Sequence, residues 1–190
     1  MDPFHEEEYR GYKIQIFQDT DVFESPREWS NLGVMCCSHK RYSVPNEGDI
    51  DFGQFNSWEQ VEAHVMDNDD AVIVVPVYMY EHSGIALSTT PFSCRWDSGQ
   101  LGIIYTRRND ILNTFRDWKK LSQKRLNKAR DILVNEVETF EKYMNGDIYG
   151  FVIKDKEGTE VDSVWGYYDD NKYSHMISEA KSIIDSMEAA

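Results

Sequence analysis

The chain has 190 residues, a net charge of −14 at pH 7 and an aromatic content of 13%. The length suits a single domain with its own hydrophobic core, and the aromatic content argues against a disordered chain. No apolar run is long enough to span a membrane and no signal peptide is evident, so we expect a cytoplasmic protein without a membrane partner. The three cysteines do not suit a secreted disulfide framework, and we expect reduced thiols.

Residues 1–10 are charged, and we expect a flexible N-terminus there. Alternating or continuous apolar runs predict strands at 12–17, 32–39, 71–80, 101–106, 147–154 and 160–167. Helical spacing and capping residues predict helices at 57–66, 109–118, 123–144 and 174–187. The first two strands are expected to pair with each other. We therefore predict an α+β fold over residues 11–190, a single domain with a mainly antiparallel sheet and amphipathic helices packed on one face.

Charge is distributed unevenly along the sequence. Residues 107–130 hold nine basic and two acidic residues, a local charge of +7, so the rest of the chain sums to −21. A field this negative attracts basic surfaces and repels nucleic acid, so we expect a basic protein partner and no direct DNA binding. The bases that begin the helix at 123–144 could be neutralised by Glu136, Glu138 and Glu141, either within the chain or across an antiparallel homodimer.

The segment from Tyr78 to Thr106 is the candidate functional segment, because polar and small residues lie there between two apolar runs. One hypothesis makes Cys94 a nucleophile, His82 its general base and Asp97 the residue that orients the imidazole. We prefer the alternative, in which Cys94 packs as a small apolar residue and His82 forms a hydrogen bond in a turn. The protein would then not be an enzyme.

The same segment allows a variant of the hydrolase hypothesis and a separate binding hypothesis. In the hydrolase hypothesis Glu81 could replace Asp97, and the backbone amides of Gly99 and Gly102 could hold an oxyanion. A binding function would use another set of side chains and backbone groups: Glu81, Arg95, Trp96, Ser98, Gly99 and Gln100.

A zinc site would need to combine residues that are distant in sequence. Cys37 and His39 lie two residues apart on one predicted strand, and His82 and Cys94 could complete a set of four ligands. No Cys-x-x-Cys pair supports such a site. We therefore expect neither a metal nor a cofactor.

Several blocks of the chain resemble one protein family. They are the strand at 12–17, Glu-Ser-Pro-Arg-Glu-Trp-Ser-Asn-Leu-Gly at 24–33, His-Ser-Gly followed by Ser-Cys-x-Trp-Asp-Ser-Gly-Gln-x-Gly within 82–102, and the stretches 135–150 and 162–167. The family consists of small acidic proteins that are frequent in phages and other mobile elements, and it carries no recognised catalytic motif. Where the family often has proline after the cysteine, this chain has Arg95.

The resemblance implies a mobile-element origin, and the charge suggests a means of action. We expect an accessory protein that works in the host cytoplasm by binding a basic host protein such as a nuclease. Inhibition of a nucleic-acid-handling defence protein, of the anti-CRISPR or anti-restriction type, would fit both observations. The alternatives are a small cysteine hydrolase that uses Cys94 and His82, or a structural or assembly protein.

Overall fold

The computed structural model describes residues 2–22, 24–82, 84–94, 96–168 and 172–189. The strands within these residues are β1 His5–Tyr9, β2 Tyr12–Gln18, β3 Val34–Cys37, β4 Ala71–Glu81, β5 Ile85–Ser88, β6 Ser98–Arg107, β7 Ile148–Lys154 and β8 Glu160–Tyr168. The α-helices are α1 Trp58–Asn68, α2 Arg108–Thr114, α3 Gln123–Asn145 and α4 Ser174–Glu188. The predicted α+β class is confirmed, with every named strand pair antiparallel.

The strands form two sheets, and each sheet belongs to a different compact unit. Unit 1 consists of Met1–Ser25 and Lys142–Ala190 and holds the sheet β1-β2-β7-β8. Unit 2 consists of Pro26–Glu141 and holds the sheet β3-β6-β4-β5. The single domain over residues 11–190 stays a prediction. Among the described helices, none combines the length and the apolar character that crossing a bilayer requires.

The N-terminal residues correct our expectation of a flexible segment. His5–Tyr9 forms β1 and pairs with β2 in register, from Tyr9 opposite Tyr12 outward. The two-residue connection is Arg10-Gly11, with φ values of 51° and 82°. Both residues are therefore in the left-handed region that a tight hairpin turn of type I′ requires, and Gly11 adopts it without steric cost. The hairpin therefore makes the charged β1 an ordered edge strand, with three of its five residues still exposed.

In unit 1, α4 covers one face of the sheet. Its side chains Met176, Ala180 and Ile184 recur at every fourth position and are fully buried against β2 and β7. The strands contribute alternate residues, Ile14 and Ile16 among them, as a sheet with one covered face demands. Burial of each such isoleucine contributes about 1.5–3 kcal/mol.

In unit 2, the strand pairing differs from our prediction. β3 pairs with β6, whereas β2 pairs with β1 and β7, so the two strands that we expected to pair lie in different sheets. Gly102 of β6 provides a reason for the observed pairing. A Cβ atom on Gly102 would lie 2.2 Å from the carbonyl oxygen of Cys36 and 2.7 Å from Cα of Cys37. The backbones of β3 and β6 approach this closely because glycine has no side chain.

Arg27 links several segments of unit 2 through a nearly buried guanidinium group, 5% exposed. Its Nε lies 2.7 Å from Oε1 of Glu47, and its Nη1 lies 2.9 Å from Oε2 of Glu136 on α3. Glu136 also accepts a hydrogen bond of 2.7 Å from the amide of Leu32. Since these groups satisfy one another in the interior, they hold the 26–33 loop against α3.

Candidate functional site

A cavity of about 460 Å³ lies in unit 2 where β4 ends and β6 begins. Its walls are formed by Ser38, His39 and Arg41 after β3, by Met79 and Glu81 of β4, and by residues 96–101. β3 and β4 both pair with β6, so the sheet itself brings these three stretches together. A site at strand ends, with loops held by a rigid sheet, is a common arrangement for binding and catalysis.

The cavity brings together the residues that we proposed for a binding function. Five of the six line it, namely Glu81, Trp96, Ser98, Gly99 and Gln100. The sixth, Arg95, lies outside the described residues. Their function as a binding site stays a prediction, but the segment does form one side of one cavity.

The two ends of the 82–97 loop are joined by the sheet. Tyr80 pairs with Ser98 at the end of the β4–β6 ladder, and the amide of Glu81 donates a 2.9 Å hydrogen bond to the carbonyl of Asp97. The hydroxyl of Ser98 donates to the carbonyl of Cys94. Ser98 therefore has a role in holding the loop, because its hydroxyl is engaged with the backbone.

Trp96 projects from this loop with 96% of its surface exposed. The exposed fractions of the other large exposed apolar side chains range from 40% to 56% among the described residues. Burying an indole ring contributes several kcal/mol, so a tryptophan in solvent leaves that free energy unused by the fold. An exposed tryptophan beside a cavity is typical of a surface that binds a partner.

The three proposed catalytic residues meet, but in a different order from the hydrolase hypothesis. Nδ1 of His82 lies 3.4 Å from Oδ2 of Asp97, and Sγ of Cys94 lies 3.7 Å from the same oxygen atom. Asp97 thus stands between the other two, and no hydrogen bond joins His82 to Cys94 in the described part of the chain. The described residues therefore lack the hydrogen bond between nucleophile and base that the hydrolase hypothesis requires.

The proposed oxyanion donors are both in β6. Gly102 lies opposite Cys37 of β3 and Val77 of β4, in the middle of the sheet. Gly99 lies opposite Met79, and nothing would stand within 4 Å of a Cβ atom placed on it. Gly102 therefore serves close strand packing, while Gly99 leaves open space at the cavity.

Sequence reasoning named His39 as a possible zinc ligand but missed Arg41 and Tyr42, which follow β3 in the same segment. Arg41 forms an ion pair with Glu81, and the hydroxyl of Tyr42 donates a 2.7 Å hydrogen bond to the same carboxylate. That hydrogen bond to Glu81 raises the pKa of Tyr42. His39 stacks on Tyr42 at a centroid distance of 4.9 Å, and its Nδ1 accepts from the amide of Arg41 at 3.2 Å. The pairing of β3 with β6 was the missing signal, because it alone places these residues beside Glu81.

The zinc hypothesis finds no support in the geometry. No group of three or more His, Cys, Asp or Glu side chains suited to a metal ion occurs within the described residues. Cys37 is 3% exposed, and burial raises the pKa of its thiol, which opposes the thiolate form that zinc binds. Nδ1 of His39 is already an acceptor for backbone amides.

No family model, curated protein or solved structure matches this chain.

Proposed function

We propose that this protein is a phage or mobile-element accessory protein that binds a basic host protein and inhibits it. The partner is a nucleic-acid-handling defence protein, such as a CRISPR effector or a restriction nuclease, in the host cytoplasm. The observation that carries the proposal is the exposure of Trp96, 96%, at the rim of the cavity.

Trp96 suits the centre of a protein interface. Residues that contribute most to binding are enriched in tryptophan, and they lie beside pockets and polar groups that exclude water once the partner is seated. Two carboxylates line the same cavity. Glu81 is already paired with Arg41, whereas Asp97, 41% exposed, would face a basic partner. The indole would supply affinity, and the charged groups would supply orientation and specificity.

The net charge supports the choice of partner. Unit 1 contains seventeen acidic and seven basic residues, a charge of −10, while unit 2 has a charge of −4. Such a field accelerates the approach of a basic protein, and salt weakens it because exposed charges are screened beyond about 8 Å at physiological ionic strength. Nucleases that hold nucleic acid present basic surfaces, so they match this charge.

The test is inhibition of purified CRISPR effector and restriction nucleases by the full chain. We expect a complex on gel filtration with one of them, loss of its DNA cleavage, and an affinity that falls steeply between about 50 and 200 mM salt. Trp96→Ala should weaken binding by roughly 30-fold or more, in the range of a central interface residue.

Met66→Ala is the matched control, because Met66 is an exposed apolar residue of α1 far from the cavity walls in sequence, 49% exposed. It should leave binding and inhibition unchanged. The proposal fails if no basic nuclease is bound or inhibited. It also fails if Trp96→Ala and Met66→Ala inhibit as well as the parent chain.

A further inference from the structure

The link after α2 and the first turns of α3 carry the densest positive charge in the chain. Six cationic side chains and two aromatic rings form what we call the basic patch: Arg116, Lys119, Lys120, Lys124, Arg125, Lys128, Phe115 and Trp118. Five of the six cations are exposed, and Arg125 is half-buried. Asp117 is the one acidic residue within the same stretch of sequence.

The rings hold two of the cations in place. Phe115 and Trp118 stack with centroids 4.1 Å apart and an interplanar angle of 12°. The guanidinium carbon of Arg125 lies 5.3 Å from the centroid of Trp118, and Nζ of Lys128 lies 5.6 Å from the centroid of Phe115. Both distances suit cation–π attraction. Cations fixed in this way lose less conformational entropy when they bind an anion.

Glu136, one of the three carboxylates that we expected to neutralise these bases, is engaged elsewhere. Glu136 is 11% exposed and pairs with Arg27, so it is unable to serve the basic patch. Arg107 pairs with Asp69, but none of the six cations forms an ion pair with a carboxylate of the described residues. The predicted internal salt network is therefore not observed among the described residues, and neutralisation of the bases across a homodimer stays a prediction.

We propose that the basic patch binds the phosphate backbone of single-stranded nucleic acid. Lysine and arginine bind phosphates through charge, without any need for base contacts. Phe115 and Trp118 stack on each other and carry cations over their rings, so they are engaged within the patch, and binding is independent of base sequence.

The net charge of −14 does not prevent such binding. At physiological salt the screening length is about 8 Å, so a flexible single strand responds to the charges beside it rather than to the whole molecule. A duplex is rigid and carries twice the charge per unit length. It would therefore hold some of its phosphates near acidic side chains, which repel them. Our expectation of no direct DNA binding rested on the negative field of the whole chain, and for single strands this proposal replaces it.

Fluorescence anisotropy of a labelled oligothymidylate tests this proposal on the full chain without any host protein. We expect binding at about 50 mM salt whose logarithmic affinity falls with logarithmic salt concentration, by a slope of about −0.7 for each phosphate neutralised. The triple variant Lys119→Gln, Lys120→Gln, Lys124→Gln should weaken binding at least about tenfold and reduce the slope by about two.

A second triple variant, Lys40→Gln, Lys154→Gln, Lys156→Gln, is the control, since it removes the same charge from lysines that are not part of the basic patch. It should bind within about twofold of the parent chain, because its lysines contact no phosphate. Absence of binding at low salt, or equal losses in the two variants, would overturn the proposal. Polyglutamate that competes as well as unlabelled oligothymidylate would also overturn it, since the patch would then recognise acidic protein.

Discussion

The interior of unit 2 and the rim of its cavity contain the same kinds of residue in different surroundings. Each has an arginine paired with glutamate, and each has a glycine of β6. Arg27 in the interior is 5% exposed, whereas Arg41 at the rim is 68% exposed. A Cβ atom on Gly102 would strike backbone atoms, but one on Gly99 would meet nothing. Burial, rather than residue type, separates the residues that hold the fold from those free to serve a partner.

Substitution of Arg27 and of Arg41 should give the largest difference in the free energy of unfolding. Arg27→Met leaves the carboxylates of Glu47 and Glu136 without their cation, and removing one partner of a buried ion pair costs about 3–5 kcal/mol. Arg41→Met removes an exposed partner of Glu81 and should cost less than about 1 kcal/mol. Urea unfolding of the two variants measures both values. Equal losses would show that the burial of Arg27 has no energetic consequence.

Substitution of Gly102 and of Gly99 should give the next largest difference in stability. Gly102→Ala places a methyl group against the carbonyl oxygen of Cys36, and since backbone has little room to move, we expect a loss of about 3 kcal/mol. Gly99→Ala should change stability by less than about 0.5 kcal/mol while it narrows the cavity. Thermal unfolding of both variants measures the two changes in stability. A stable Gly102→Ala variant would contradict the close approach of β3 to β6.

Alkaline pH should weaken the interior through its thiols. Burial raises the pKa of Cys36 from near 9 to about 11, and the same cause raises the pKa of Cys37. The folded state therefore binds the Cys36 proton more tightly than the unfolded state. The stability that this adds is present below about pH 9 and is lost as pH rises to about 11, an effect of about 2 kcal/mol.

Denaturant unfolding at about pH 8 and pH 11 measures this loss. Cys36→Ala should lose about 2 kcal/mol less than the parent chain over the same interval, because it has no thiol to ionise at that position. Equal losses in the two proteins would remove Cys36 as the titrating group.

The smallest expected effect is a difference between the three cysteines in their rates of reaction with a thiol reagent. Cys94 is half-buried, whereas Cys36 and Cys37 are buried. At pH 7 we expect a thiol reagent to label Cys94 in the folded protein and the other two only after unfolding. His82→Ala should leave the rate of Cys94 labelling within about twofold, because no hydrogen bond joins the two side chains among the described residues. A large fall in His82→Ala would support the hydrolase alternative.

The sequence predicted most elements but not their partners. Local periodicity predicts the strands of β4 and β6 and the helix α3, since alternation and helical spacing depend on neighbouring residues. It missed β1 because a glutamate-rich strand resembles a solvated tail. The turn that pairs β1 with β2 was visible only as Arg10-Gly11, without a usual Asn-Gly signal.

In the candidate site, too, the local elements followed from the sequence, whereas the contacts between distant segments did not. The sequence alone predicted two apolar strands around a polar loop in residues 78–106, because these properties reside in consecutive residues. It predicted neither β5 within that loop nor the exposure of Trp96. Only the tertiary structure decided that β3 pairs with β6, which brings Arg41 to Glu81, and that Asp97 stands between His82 and Cys94. The reason is that strand pairing joins residues that are distant in the chain. The pairing of β3 with β6 also depends on the close approach of their backbones at Gly102, which no local sequence pattern encodes.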